Sequence, residues 1–172
     1  MDANNMLVAI DDSASSKRAI QQAARKIHDP SAWRIILLHV IRPVPPKILE
    51  HGGDEDPQKE QRLEAERDAA QAAWRQQAEQ DAQPVFASAL TILKAANVPD
   101  EMIETQIYAP VPGEDIATAI VNVARDNACG TIVVGRSSYS WLREVIHTHV
   151  AEKLLQHQPP FQLWVVEDEA TS

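Results

Sequence analysis

Short apolar runs and longer helical patterns alternate along the chain. The runs are rich in Ile, Leu and Val and end in polar residues, which is typical of strands buried on both faces. Because parallel neighbours must be joined by a crossover, and a helix usually supplies it, the alternation predicts an α/β protein. Right-handed crossovers place helices on both faces of an open, mostly parallel five-stranded sheet. The predicted strands are residues 6–10, 34–41, 104–109, 131–135 and 161–166.

Three helices are predicted next to these strands. Ser13 is expected to cap the first, because a serine hydroxyl can accept from a free N–H of the first turn. Gly113 is expected to open the second, with Glu114 and Asp115 in its first turn, where acidic side chains suit the helix dipole. An apolar stripe over residues 142–154 predicts the third.

The middle of the chain departs from this rhythm. Residues 42–58 are rich in proline and glycine, which predicts an extended surface loop with a mobile tip. Residues 59–82 form a polar helical pattern, and Pro84 is expected to end it and restart the chain as a further helix. The segment at about 43–100 is therefore interpreted as an insertion within a single domain that spans residues 1–172.

In open parallel sheets, ligands bind beyond the carboxyl ends of the strands, where the strand order reverses. The segments that follow the predicted strands here are residues 11–13, residues 40–43 and the chain from Gly135 onward. Any ligand site is expected among them.

Composition excludes several classes of function. Lys and Arg number 16 against 25 Asp and Glu, and the net charge of -9 would repel a nucleic-acid backbone. The single cysteine, Cys129, allows no internal disulfide and fits a reducing compartment. The apolar run at 35–41 is interrupted by His39 and is too short for a membrane span. The N-terminus lacks the pattern of a signal peptide, so a cytoplasmic location is expected.

The sequence offers few groups for catalysis or metal binding. His147 and His149 are two residues apart, so on a helix they do not share a face and cannot hold one metal together. His39 lies on a buried strand and is interpreted as a hydrogen-bonded core residue. Cys129 is interpreted as an inert buried thiol. Ser13 lacks the frame of a nucleophile elbow.

Several short motifs, in a fixed order along the chain, resemble those of a known family. Gly135-Arg136-Ser137-Ser138 follows the fourth strand, and nine residues later comes Thr148-His149. The matching segments elsewhere are residues 8–13, 38–41, 150–153 and 164–166. In order and spacing the chain resembles the universal stress protein family from Leu7 to Val166. The resemblance implies a Rossmann-like fold of the adenine-nucleotide alpha hydrolase type.

The resemblance also implies an adenine-nucleotide site for ATP or AMP. Asp11 and Val40 would contact the base, and Gly135 the phosphates. The implied binding residues are Ala9, Asp11, Val40, Val134, Gly135, Arg136, Ser138, Thr148, His149 and Val150.

The phosphate motif departs from the family pattern. The family has two further glycines and then Ser or Thr where this chain has Ser138, Thr148 and His149. Glycines let backbone N–H groups approach phosphate without a Cβ in the way. Three readings stay open: a retained nucleotide site, a different anion held by Arg136 and protonated His149, or a phosphate loop that has decayed.

Three functions follow from these readings. One is a non-enzymatic stress or regulatory protein that acts on a protein partner. The others are an adenine-nucleotide sensor and a slow ATP hydrolase or autophosphorylating enzyme. The apolar last strand, residues 161–166, is expected to form a homodimer, because an exposed apolar edge is otherwise adhesive and the family commonly pairs there.

Overall fold

The computed structural model describes residues 2–27, 29, 32–49, 56–139, 150–157 and 160–167. Its centre is a five-stranded sheet in which every pairing is parallel, in the order β3-β2-β1-β4-β5. This confirms the predicted fold class. The strands are β1 Asp2–Ala9, β2 Arg34–Val40, β3 Ile103–Tyr108, β4 Cys129–Gly135 and β5 Gln162–Val166.

Helices cover both faces of the sheet. α1 and α3 pack on one face, and α4 and α5 pack on the other. Around the central strand, Met6 and Val8 point toward α1 and α3, whereas Leu7 and Ala9 point toward α4 and α5. The helices are α1 Ala14–Lys26, α2 Pro46–Leu49, α3 Pro57–Ala95, α4 Ile116–Asp126 and α5 Val150–Gln156.

The long helix α3 corrects the prediction for the middle of the chain. It runs for 39 residues and contains Pro84, which was expected to break it. An interior proline removes one backbone hydrogen bond and costs about 3 kcal/mol. Phe86 and Leu93 are buried beyond the proline, and burial of each is worth about 1.5–3 kcal/mol. Pro84 itself is exposed and adds no packing of its own. The burial of Phe86 and Leu93 therefore offsets the free-energy cost of the proline.

The start of α4 also differs from the prediction. Asp115 is the N-cap and its carboxylate accepts from the Thr118 N–H at 3.0 Å, so the helix begins two residues later than Gly113 implied. Glu114 lies before the helix, where its carboxylate accepts from the Tyr108 hydroxyl and from Asn122. The N-cap role of Ser13 in α1 is confirmed.

Two further predictions fall partly outside the described residues. The predicted loop 42–58 contains the short helix α2, and Asp56 at its end caps α3. The tip of that loop is outside the described part of the chain, as is the predicted helix 142–154 before Val150. Across the part that is described, no helix has both the length and the apolar character needed to cross a membrane.

The strand order fixes where a site can form. β1 lies between β2 and β4, so the chain leaves β1 in one direction toward β2 and β3 and returns on the other side as β4 and β5. The order therefore reverses beside β1. We call the space beyond the carboxyl ends of β1, β2 and β4 the strand-end crevice.

Candidate functional site

Asp11 follows β1 and is hydrogen-bonded to the start of α1. Its backbone N–H donates to the Ser16 hydroxyl at 3.0 Å. One carboxylate oxygen accepts from the N–H and the hydroxyl of Ser13, and the other accepts from the backbone N–H of Tyr139. Only 7% of Asp11 is exposed. Both carboxylate oxygens are thus engaged within the chain.

The turn after β4 is also held against α1 by a hydrogen bond between a backbone N–H and a side chain. The Ser137 N–H donates to the Ser15 hydroxyl at 3.1 Å, and the Ser138 N–H donates to the Gly135 carbonyl at 3.1 Å. Together with the bond from Tyr139 to Asp11, these contacts close the end of β4 onto the start of α1. The sequence placed both segments at one edge of the sheet, and the structure joins them directly.

Gly135 has a role that sequence reasoning missed. A Cβ added there would lie 2.3 Å from the Ser15 hydroxyl oxygen and 2.6 Å from the Ser15 carbonyl carbon and oxygen. Real Cβ atoms do not approach other atoms so closely, so the glycine is required by the contact with α1. Ser15 takes the space where a side chain at position 135 would begin, and the predicted contact between Gly135 and phosphate stays a prediction.

The other residues of the predicted phosphate motif are engaged, buried or outside the described chain. The Arg136 guanidinium lies 2.6 Å from the Glu167 carboxylate beyond β5, and both side chains are exposed. Ser138 is buried, and its hydroxyl has no hydrogen-bond partner among the described residues. Thr148 and His149 lie outside the described residues. The structure thus brings Arg136 and Ser138 to the crevice without assembling a phosphate cradle from them.

Tyr139 is a crevice residue that the sequence did not reveal. It is 1% exposed, and its backbone has φ 58°, which is uncommon for a residue with a side chain. Its hydroxyl oxygen lies 3.0 Å from the Ile10 carbonyl oxygen and 3.4 Å from the backbone nitrogen of Val40. Burial raises the pKa of the Tyr139 hydroxyl well above its usual range, so the group stays protonated and can donate.

The four apolar residues of the predicted site belong to the hydrophobic cluster on the α4 face. Tyr139 belongs to this cluster too, at the carboxyl end of the sheet. Ala9 and Val134 are register partners on β1 and β4. The predicted residues in the cluster are Ala9, Val40, Val134 and Val150. The structure therefore brings them into the same hydrophobic cluster as the Tyr139 side chain.

His39 lies on the opposite face of the same strand ends. Its Nδ1 is 2.9 Å from the Ile10 carbonyl oxygen, and its ring meets the Phe86 ring edge-on at 6.3 Å between centroids. The prediction of a hydrogen-bonded histidine is confirmed, although the ring is only half-buried. Ile10 O therefore has polar partners on both faces of the sheet, His39 and Tyr139.

A cavity of about 400 Å³ opens between the ends of β1 and β2 and the helix α3. Asp11 and Val40 line it from the sheet, and Trp74 lines it from the helix. The indole N–H of Trp74 is buried and has no hydrogen-bond partner among the described residues. Asp12 and Asp81 give the wall an acidic character.

Comparison with known proteins identifies the family. The sequence profile of the universal stress protein family matches residues 3–160, which is most of the chain. The chain belongs to the universal stress protein family. No curated protein matches the sequence.

Solved structures share the fold of this universal stress protein at low sequence identity. A universal stress family protein from Burkholderia pseudomallei is 20% identical, with 95% of each chain covered and a TM-score of 0.57. An Arabidopsis thaliana family member with AMP bound is 16% identical, with 97% of this chain and 93% of that chain covered and a TM-score of 0.59. The Archaeoglobus fulgidus protein in complex with dAMP is 16% identical, with coverage of 96% and 99% and a TM-score of 0.53.

Proposed function

We propose that this universal stress protein is a regulatory protein that works as a homodimer on a protein partner and does not turn nucleotide over. One observation carries the proposal. Asp11, which the family resemblance assigns to the base, and Gly135, assigned to the phosphates, are both engaged by the chain itself. Phosphoryl transfer depends on holding the phosphates in a defined geometry, and the described crevice offers no such cradle.

The position of β5 supports the homodimer. β5 lies at one edge of the sheet and, among the described strands, pairs with β4 alone. Leu163, Trp164, Val165 and Val166 along it are apolar and only half-buried. An apolar edge strand is stabilised by pairing with another strand, and a second copy of this chain supplies an identical one.

A measurement of bound and hydrolysed nucleotide tests the proposal. The purified protein is denatured in acid, and the released nucleotide is measured by chromatography. A second sample is incubated with ATP and Mg²⁺, and formation of ADP is followed. We expect far less than one nucleotide per chain and no ADP above the buffer control. ADP formed in proportion to protein would overturn the proposal, whereas stoichiometric nucleotide without ADP would favour the nucleotide sensor considered next.

A second candidate, an AMP sensor, is favoured by the cavity beneath α3. Asp11, Val40 and Trp74 line the cavity, the indole N–H of Trp74 has no hydrogen-bond partner among the described residues, and a relative of this fold carries AMP. Quenching of tryptophan fluorescence by AMP, lost in Trp74→Phe, would favour the sensor. An unchanged response in Trp74→Phe would place any AMP away from this cavity.

A further inference from the structure

Tyr139 engages the strand-end crevice with both its backbone and its side chain. Its N–H donates to the Asp11 carboxylate at the end of β1. Its hydroxyl meets the Ile10 carbonyl at 3.0 Å and the Val40 nitrogen at 3.4 Å, beyond β1 and β2. One residue thus contacts both Asp11 and Val40, which the family resemblance assigns to an adenine base and which also line the cavity beneath α3.

The hydrogen-bond pattern at the tyrosine hydroxyl has a definite polarity. The hydroxyl donates to the Ile10 carbonyl and accepts from the Val40 N–H. The edge of a 6-aminopurine offers the same pair, because its amino group donates and its N1 accepts. A 6-oxopurine offers the reverse pair, since its oxygen accepts and its N1–H donates. For a base held in one fixed orientation, the strand ends therefore match adenine and mismatch guanine.

The backbone conformation of Tyr139 is a second, independent indication that surrounding contacts hold this residue in place. Its φ of 58° lies in the left-handed region, which costs a residue with a side chain about 1–2 kcal/mol. Such a conformation persists only where the surroundings over-determine it. Here the buried ring, the hydroxyl contacts and the N–H bond to Asp11 all act on the same residue.

We infer that Tyr139 is a built-in substitute for the adenine ring, which occupies the base position of this universal stress protein and sets its low affinity for adenine nucleotides. The inference rests on the proposed function, in which Asp11 and Gly135 are engaged by the chain itself. It goes further, because it assigns the loss of base binding to one side chain. Removal of that side chain restores base binding even though the phosphate motif is unchanged.

The test compares AMP binding by three variants at Tyr139 with binding by the wild type, using calorimetry. Tyr139→Gly removes the ring and suits the positive φ, so we expect it to bind AMP at least tenfold more tightly than the wild type. Tyr139→Phe retains the ring and is expected to show no such gain. GMP, with its reversed hydrogen-bond pair, is expected to gain nothing in any variant.

The loss of a buried ring costs about 3–5 kcal/mol, so circular dichroism must first establish that Tyr139→Gly is folded. If it is not, Tyr139→Leu decides, because it retains apolar packing but cannot reach the Val40 nitrogen. Tyr139→Leu is then expected to bind AMP at least threefold more tightly than the wild type.

The outcomes separate this inference from the proposed function. No gain of AMP affinity in the folded variant overturns the inference and leaves the regulatory function standing. Equal gains for AMP and GMP also overturn it, because the base edge would then not be read. ADP formed from ATP by the wild type instead overturns the proposed function, whereas AMP bound tightly by the wild type overturns the inference.

Discussion

Gly135 ends β4 against the first turn of α1, where its lack of a side chain permits the contact with Ser15. We predict that Gly135→Ala lowers the free energy of unfolding by about 3 kcal/mol, the upper part of the range for overpacking, because two of the clashing atoms are backbone atoms. Urea denaturation followed by circular dichroism measures the loss.

Gly113→Ala is the matched control for this change. Gly113 has φ 86° and no atom within 4 Å of an added Cβ, so only backbone strain of about 1 kcal/mol is expected. Equal losses in the two variants would contradict the packing explanation. The double variant Gly135→Ala with Ser15→Gly should recover only part of the stability, since the Ser15 carbonyl remains in place.

The sequence located some crevice residues and missed others for a physical reason. Asp11 and Val40 were found because hydrophobic runs end there, and the end of a strand is a local signal. Tyr139 could not be found in this way. Its insertion depends on the path of a turn with positive φ and on two partners, Val40 and Ile10, that lie 99 and 129 positions away in sequence. No local pattern encodes such contacts.

At the scale of elements, α3 combines an interior proline with an exposed proline ring. We predict that Pro84→Ala raises the free energy of unfolding by about 1–3 kcal/mol, because a backbone N–H becomes available and no buried contact is lost. Pro57→Ala is the control, since Pro57 lies at the start of the helix, where proline is favoured. A gain no larger than that of Pro57→Ala would contradict the prediction.

Asp115 joins α4 to α5 as well as capping α4. Burial acts to raise the pKa of Asp115, but the Thr118 N–H bond and the Lys153 ammonium, 3.8 Å away, outweigh it and lower the pKa below 3.8. We predict that Asp115→Ala lowers the free energy of unfolding by about 1 kcal/mol at neutral pH. Urea titrations at neutral and acidic pH measure this difference.

The lowered pKa fixes the sign of the pH dependence. The charged carboxylate contributes its full stabilisation above the unfolded pKa, and the contribution is lost as pH falls through the lower folded value. The difference in free energy of unfolding between the wild type and Asp115→Ala should therefore become smaller in acid. Asp126→Ala, at the exposed C-terminal end of α4, caps nothing and should show no such loss. A difference in free energy of unfolding that stays constant with pH would contradict a stabilising role for the charged Asp115 carboxylate.

The elements show how far a sequence pattern reaches. All five strands were predicted within a few residues. The central strands β1, β2 and β4 contain continuous apolar runs, as buried parallel strands do, whereas the edge strand β3 is largely polar and gave a weaker signal. The division at Pro84 was wrong, since local helix chemistry favours a break there and only tertiary burial of Phe86 and Leu93 favours continuity. The start of α4 was misplaced because Glu114 and Asp115 both fit a first turn by charge alone.

At the scale of the whole molecule, the proposed dimer makes a prediction about strand edges. The Val166 carbonyl faces β4, where it accepts from the Arg136 N–H at 2.8 Å, so the preceding N–H of Val165 faces the open edge. Val165→Pro removes this outward donor and leaves the bonds to β4 in place. We expect it to be monomeric by analytical ultracentrifugation at concentrations where the wild type is dimeric.

Thr105→Pro provides the same change on the opposite edge. The Tyr108 carbonyl accepts from the Ile41 N–H, so by the same alternation Thr105 of β3 presents its N–H outward. This variant is expected to remain dimeric. A monomeric wild type, or a dimer sensitive to Thr105→Pro rather than Val165→Pro, would contradict pairing through β5.

The residues of α3 that are buried as a whole lie at one end of the helix. Its buried residues are Ala82, Phe86, Ala89 and Leu93, all in the C-terminal part of the helix. Local opening costs free energy in proportion to the contacts that it breaks, so the two ends of α3 belong to different cooperative units. The C-terminal part opens only with the sheet, whereas the N-terminal part can fray and re-form while the sheet stays folded. One continuous helix thus contains, along its own axis, a boundary between a part that is held by the sheet and a part that is not.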